Sequence, residues 1–125
     1  MNLDKVISGF FIILAMTINF GFFYGDMYTL ESHSKYELFA AIIINLIATT
    51  LKLGDKTQMG SVLLATSLVA DIQLIAAAII WTIAAYAYTV DAEVIATIVS
   101  LSGGALLANF VSVTLYVGDT LKSKR

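Results

Sequence analysis

Cysteine and proline are both missing from this chain of 125 residues, and histidine occurs only once. Without cysteine, the chain has no disulfide, no thiolate nucleophile and no cysteine metal site. The single histidine, His33, has Glu31 and Glu37 nearby in sequence, but a metal site needs several ligands, so we interpret it as a solvated loop residue. The sequence predicts no metal and no cofactor, and it shows no pairing of nucleophile and base that would indicate an enzyme.

Charged residues are also scarce. They make up 13% of the chain, against roughly 25% in soluble domains, while 59% of the residues are hydrophobic and the mean hydropathy is +0.89. The charges are confined to short segments between long apolar runs, a pattern that indicates lipid as the main solvent. Too few residues lie outside these runs for a soluble module, and a net charge of -2 gives no basic face for nucleic acid. We therefore expect one transmembrane domain, residues 1–125, whose first partner is the lipid bilayer.

Four apolar runs divide the chain. A helix that spans a membrane needs about 20 residues, which the first, third and fourth runs supply and the second only approaches. A re-entrant second run would place the two chain ends on opposite sides of the membrane and disturb the charge pattern described next. The sequence therefore predicts an all-α fold, an integral membrane four-helix bundle, with spans at about 6–24, 37–53, 61–88 and 94–117.

The basic residues predict the orientation of the bundle, because lysine and arginine concentrate on the cytoplasmic side of membrane proteins. With four spans, six of the seven basic residues fall on one side of the membrane and Lys35 alone falls on the other. Both termini should then be cytoplasmic. So strong a bias also argues against insertion in both directions, and any homo-oligomer is expected to be parallel. The six residues are Lys5, Lys52, Lys56, Lys122, Lys124 and Arg125.

Asp71 is the only charged residue between positions 60 and 90. A charge at the centre of a bilayer costs at least about 3 kcal/mol, so an acid in this position is by default a functional hypothesis. Ser67 precedes Asp71 by four residues and therefore shares its helix face. The second helix carries a comparable polar stripe, formed by Ala41, Asn45, Thr49 and Lys52. From its height we expect Lys52 to extend towards the inner headgroups, or to pair with Asp55, rather than to reach Asp71.

One asparagine stands on each of the other three helices: Asn19, Asn45 and Asn109. At a rise of 1.5 Å per residue, all three lie at heights from which they could meet Asp71 in one polar layer. Carboxylate, amide and hydroxyl oxygens suit a proton or an alkali cation, which makes Asp71, Ser67, Asn45 and Asn109 the candidate ion-binding or pore residues. The alternative for the asparagines is structural, because such side chains commonly form hydrogen bonds between transmembrane helices.

Small residues follow a four-residue spacing on two helices. They allow close approach of helix backbones, the main attraction available between helices in lipid, whether within one subunit or between subunits. In a chain without proline, Gly103–Gly104 is also the one plausible swivel within a helix. The spaced residues are Thr17, Gly21 and Gly25 on the first helix and Ala96, Ser100, Gly104, Ala108 and Ser112 on the fourth.

In size, number of spans and topology, the chain resembles small uncharacterised four-helix bacterial inner-membrane proteins. The resemblance implies a multi-pass protein of the bacterial cytoplasmic (inner) membrane and implies no activity. We expect either a cation channel or transporter component, with a pore between parallel subunits lined by Asp71, or a non-conducting accessory subunit. In the second case, the small-residue faces would dock on a larger membrane protein.

Overall fold

Four α-helices form the protein in the computed structural model, which describes residues 2–25, 29, 33–54 and 57–123. They are α1 (Leu3–Phe23), α2 (Lys35–Lys52), α3 (Gln58–Ala87) and α4 (Ala92–Ser123). Each apolar run found in the sequence corresponds to one of them. The prediction of an all-α fold with four helices is therefore confirmed.

Polar caps set where the helices begin. The side chains of Asn2, Ser34 and Thr57 accept hydrogen bonds from backbone N–H groups in the first turns of α1, α2 and α3. Asp91 does the same for α4, where its Oδ1 lies 2.9 Å from the amide nitrogen of Val94. A capping side chain replaces a missing partner of the first turn, so a helix starts at its cap and not at its first apolar residue. Every helix accordingly begins two or three residues before the predicted span.

The helices form a ring in which consecutive helices are neighbours and α4 returns to α1. At the end that holds both termini, the Tyr116 hydroxyl of α4 donates a hydrogen bond of 2.7 Å to the backbone carbonyl of Lys5 in α1. Large buried side chains are few, among them Phe22 and Leu74, and alanines fill much of the remaining core. Small core residues bring the helices close together, which strengthens packing when water does not drive association.

Three helices, α1, α3 and α4, are long and apolar enough to cross a membrane. The 18-residue α2 is not among them, because it carries Lys35, Glu37 and Lys52 in so short a length. Large apolar side chains cover the outside of the bundle, with Ile72 and Leu107 more than 60% exposed. An apolar exterior of this kind is suited to lipid.

The small-residue stripe of α4 does not coincide with the buried face of that helix. Of its members, Ser112 is buried, Gly104 and Ala108 are half-buried and Ser100 is exposed. A step of four residues turns an α-helix by slightly more than one full turn, so a strict four-residue repeat drifts by about 40° per step. The stripe therefore winds off the packing face, which instead holds Ile95, Ile98, Val99, Ser102, Ala105, Asn109 and Ser112.

The glycines act locally. Gly21 is a close-contact site, where a Cβ atom would lie 2.7 Å from Oε2 of Glu37. Gly25 lies beyond the end of α1 with φ of 130°, a conformation that favours glycine, so it belongs to a turn and not to the helix face assigned to it from sequence. At Gly103, a Cβ atom would lie 2.8 Å from the Phe23 ring, while α4 continues through this position as regular helix.

Candidate functional site

Asp71 lies inside the bundle, on the side of α3 that faces α2, and is only 4% exposed. The Thr49 hydroxyl of α2 donates a hydrogen bond of 2.6 Å to its Oδ2 atom. Its other oxygen, Oδ1, is buried and has no hydrogen-bond partner in the structure. Burying a carboxylate oxygen that accepts no hydrogen bond costs free energy, so Oδ1 is an unsatisfied acceptor at this site.

Lys52, the last residue of α2, is buried beside this carboxylate and is 6% exposed. Its ammonium group donates hydrogen bonds to Ser67 Oγ on α3, to Ser112 Oγ on α4 at 2.6 Å, and to the Leu63 carbonyl at 3.4 Å. An ammonium has three N–H donors, and each has an acceptor here. We call Thr49, Lys52, Ser67, Asp71 and Ser112 the Lys52–Asp71 cluster.

The sequence-based expectation that Lys52 extends to the headgroups is wrong. Its alternative partner, Asp55, lies outside the described residues. The height estimate followed the backbone of Lys52, whereas the long side chain turns inwards to oxygen atoms supplied by two other helices. These hydrogen bonds, together with the charge of Asp71, replace the hydration that the ammonium loses on burial.

The two charges of the cluster attract one another directly. They do not form a contact ion pair, since no ammonium–carboxylate distance between them is 4.0 Å or less. Ser67 lies one helical turn before Asp71 on α3, and its hydroxyl oxygen holds the ammonium at that distance from the carboxylate. A buried pair offsets its desolvation cost only when further hydrogen bonds satisfy both groups, and here the lysine is satisfied but the aspartate is only half satisfied.

The other two candidate ion-binding residues, Asn45 and Asn109, make their hydrogen bonds elsewhere. The Asn45 amide, 1% exposed, donates to the Ala41 carbonyl of its own helix at 2.7 Å. Its backbone carbonyl accepts a hydrogen bond of 2.8 Å from Thr49, so Asn45 touches the cluster only through its backbone. Asn109 belongs to a second group of polar residues, between α1 and α4.

Asn19 organises this second group. With its amide oriented to satisfy its neighbours, it donates to the Ser102 carbonyl and accepts from the Leu106 amide and from Asn109 Nδ2, each at 3.0 Å. These contacts bracket Gly103–Gly104 on α4. Every polar atom of the Asn19 side chain is thus used to hold two helices together. The polar residues accordingly form two clusters instead of the single layer that heights along the helices suggested.

His33 is 6% exposed, so its interpretation as a solvated loop residue is wrong. Its Nδ1 atom lies 2.7 Å from the carbonyl oxygen of Phe22, and the two rings are 5.5 Å apart. The centre of the Trp81 ring lies 6.1 Å from that of the Phe22 ring. The carbonyl groups in the last turn of α1 lack helical partners, and a histidine from the following segment satisfies one of them. Among the described residues, no group of three or more histidine and acidic side chains is arranged to hold a metal ion.

Thr49, Lys52 and Ser112 were not proposed as ion-binding residues from the sequence. Thr49 and Lys52 do continue the polar stripe that passes through Asn45, and Ser112 was assigned to packing. Polarity on one face of α2 was therefore a usable signal. What the sequence did not show is that this stripe faces Ser67 and Asp71.

We expect the Lys52–Asp71 cluster to behave as one energetic unit. Lys52→Met or Asp71→Asn alone should lower the free energy of unfolding by about 3 kcal/mol, because each leaves a buried charge without its partner. The double variant should lose about 2 kcal/mol less than the sum of the single losses. Reversible unfolding in mixed micelles measures all three. Lys122→Met, which removes an exposed lysine of α4, is the matched control and should change stability by less than about 0.5 kcal/mol. Strictly additive losses would refute the coupling.

A family of unknown function, DUF6394, matches residues 32–120. Comparison with curated proteins and with solved structures gives no match. The matched range covers well over half of the chain and includes α2, α3 and all five residues of the Lys52–Asp71 cluster. The chain therefore belongs to the DUF6394 family.

Proposed function

We propose that this protein is a component of a cation carrier in a membrane and that Asp71 is the group that takes up the cation, a proton. One observation carries the proposal: a carboxylate buried in an apolar bundle keeps one oxygen without a partner, next to a lysine held by hydroxyl groups. Such a carboxylate can gain and lose a charge at a fixed place within the membrane.

The membrane setting rests on the apolar helices and on the distribution of basic residues. We propose four spans in a bacterial cytoplasmic membrane, with α2 as the fourth and both termini in the cytoplasm. Three charged residues in a length of 18 distinguish α2 from the other, more apolar helices. Burial of Lys52 supports α2 as a span, because it keeps one of these three charges away from lipid. Five of the remaining six basic residues still fall on the side of the termini, so the orientation does not depend on Lys52.

The packing of the cluster favours a proton over an alkali ion. The Lys52 ammonium is a tethered cation that already occupies the Ser67 and Ser112 oxygens, which an alkali ion would need. An alkali ion could bind only after displacing this group. A proton needs only Oδ1 of Asp71, which is free.

Thr49 allows the carboxyl group to exist in both protonation states. Its single hydroxyl hydrogen faces two acceptors, Asp71 Oδ2 at 2.6 Å and the Asn45 carbonyl at 2.8 Å. With an ionised Asp71, the hydroxyl donates to the carboxylate. With Asp71 protonated on Oδ1, Oδ2 can still accept from the hydroxyl, or the hydroxyl can turn and donate to the Asn45 carbonyl instead. Neither state leaves Thr49 unsatisfied, as a site that exchanges protons requires.

This geometry changes the expected path of the cation. Asp71 faces the interior of its own bundle, so a ring of Asp71 side chains around a pore between subunits does not fit its position. We place the proton path within one subunit. A parallel homo-oligomer or a larger membrane partner would then pack against the apolar exterior and would not complete the site.

A non-conducting accessory subunit is the second candidate. The observation that favours it is the complete set of acceptors around the Lys52 ammonium, which ties α2 to α3 and α4 at one height. A polar cluster can fix the register of helices without transporting anything. The two candidates differ in whether the purified chain moves protons.

The proposed topology predicts which positions are reached from each side of the membrane. Because the chain has no cysteine, single cysteines at Asn2, Lys122 and Thr89 can be introduced without background. In right-side-out vesicles, a membrane-impermeant thiol reagent should label position 89 and leave positions 2 and 122 unlabelled until the vesicles are opened. Labelling of positions 2 and 122 on different sides would contradict an even number of spans.

Proton movement is tested with the full chain reconstituted into liposomes that carry a pH-sensitive dye. Under an imposed pH gradient and with potassium and valinomycin to balance charge, we expect a flux that Asp71→Asn lowers to the level of protein-free vesicles. Lys52→Gln should lower it as well, because the tethered cation that compensates the carboxylate is lost.

Asp91→Asn is the matched control for this experiment. It removes one carboxylate but keeps an oxygen that caps α4, so both folding and flux should be retained. Folding of each variant is checked by circular dichroism in the same liposomes. No flux from the folded wild-type chain under any gradient would overturn the proposal and favour the accessory subunit. A flux that requires sodium or potassium as cargo would overturn the assignment of the proton.

A further inference from the structure

A continuous groove runs between α2 and α3 at the end of the bundle opposite the termini. Its upper part has a volume of about 450 Å³ and is lined by Lys35, Tyr36, Trp81 and Tyr86, among others. Its lower part, of about 350 Å³, is lined by Ile42, Ile75, Ile79 and Ile83. The two parts share Phe39, Ala78 and Thr82, so they form one groove that is more polar at the top than below. We call it the α2–α3 groove.

The described residues that line the upper part of the groove carry one formal charge, the ammonium of Lys35. Lys35 is the only basic residue between positions 6 and 51, and no carboxylate lines this part of the groove among the described residues. The nearest acid on the same helix, Glu37, turns the other way, since its Oε2 atom lies against Gly21 of α1. Among the described residues that line the upper part, Lys35 is therefore the one charged side chain.

Aromatic side chains place this charge at the level of lipid headgroups. Tyr36 and Tyr86 are 75% and 90% exposed beside the groove, and Trp81 lines its wall. Tyrosine and tryptophan concentrate where a membrane meets water. Below them the groove descends along the helices into the level of the acyl chains. Lys35, the aromatic side chains and the apolar lower part of the groove thus follow the order of headgroup, glycerol and acyl chain in a phospholipid.

We propose that the α2–α3 groove binds an acidic phospholipid, with its anionic headgroup at Lys35 and one acyl chain along the isoleucines of the lower part. The charge selects the occupant: a zwitterionic lipid would fill the apolar part equally well but would gain little from the lysine. The combined volume is within the range of small-molecule sites. The site requires insertion in a membrane and is independent of the cation taken up at Asp71.

Trp81 is the only tryptophan in the chain and lies in the groove, so its fluorescence reports occupancy directly. The full chain is reconstituted in phosphatidylcholine that contains increasing fractions of phosphatidylglycerol brominated on its acyl chains, or of phosphatidylcholine with the same bromination. Bromine quenches tryptophan on contact. Phosphatidylglycerol should reach half-maximal quenching at about a fivefold lower fraction, the effect that one lysine near an anionic headgroup supplies.

Two substitutions and one control complete the test. Lys35→Gln should bring the two quenching curves together, and Lys35→Arg should restore the difference. Lys122→Gln removes a lysine from the opposite end and should leave the fivefold preference unchanged. Equal quenching by the two brominated lipids in the unmodified chain would mean that only general boundary lipid is present and would overturn the proposal. A preference that survives Lys35→Gln would also overturn it, as would the absence of quenching together with cross-linking of two copies through the groove.

Discussion

The rest of this structure depends on one constraint, the attraction between the charges of Lys52 and Asp71 inside a bundle where both are buried from water. Neither charge could be buried alone at an acceptable cost, and together they are buried only because hydroxyl groups complete the set of hydrogen bonds. The donors and acceptors come from three helices. Meeting their geometry fixes the heights of α2, α3 and α4 relative to one another. Apolar packing alone allows many such heights, because one aliphatic contact resembles the next.

The two polar clusters differ in how completely their polar atoms are hydrogen-bonded. In the group around Asn19, the amide nitrogen and oxygen of Asn19 both form hydrogen bonds with α4, and these bonds hold α1 and α4 together. The Lys52–Asp71 cluster is nearly saturated but leaves one carboxylate oxygen free. This unpaired oxygen, in a hydrogen-bond network that is otherwise complete, could accept a proton without any movement of the helices. Our proposal of proton uptake therefore rests on how completely each cluster is hydrogen-bonded and not on residue type.

Much of the fold could be predicted from the sequence because apolar runs and caps are local features. The four helices follow from run lengths, and their early starts follow from Asn2, Ser34, Thr57 and Asp91. The predictions that are wrong, for the side chains of Lys52 and His33, concern contacts between residues that are distant in sequence. Lys52 finds its acceptors 15 and 60 residues away, and His33 is covered by Phe22, 11 residues before it. The drift of the α4 stripe, in contrast, follows from helix geometry and could have been anticipated.

The position of the Lys52 ammonium is the most direct test of this description, and solid-state NMR of the full chain in phospholipid bilayers can measure it. With ¹⁵N at the lysine side chains and ¹³C at the serine Cβ atoms, Lys52→Gln identifies the Lys52 signal by its loss, and Ser112→Ala identifies its serine neighbour. Dipolar recoupling should show the Lys52 nitrogen close to Ser112 carbon and without coupling to lipid ³¹P. A strong coupling to ³¹P with none to serine would place the ammonium among the headgroups and contradict the buried pair.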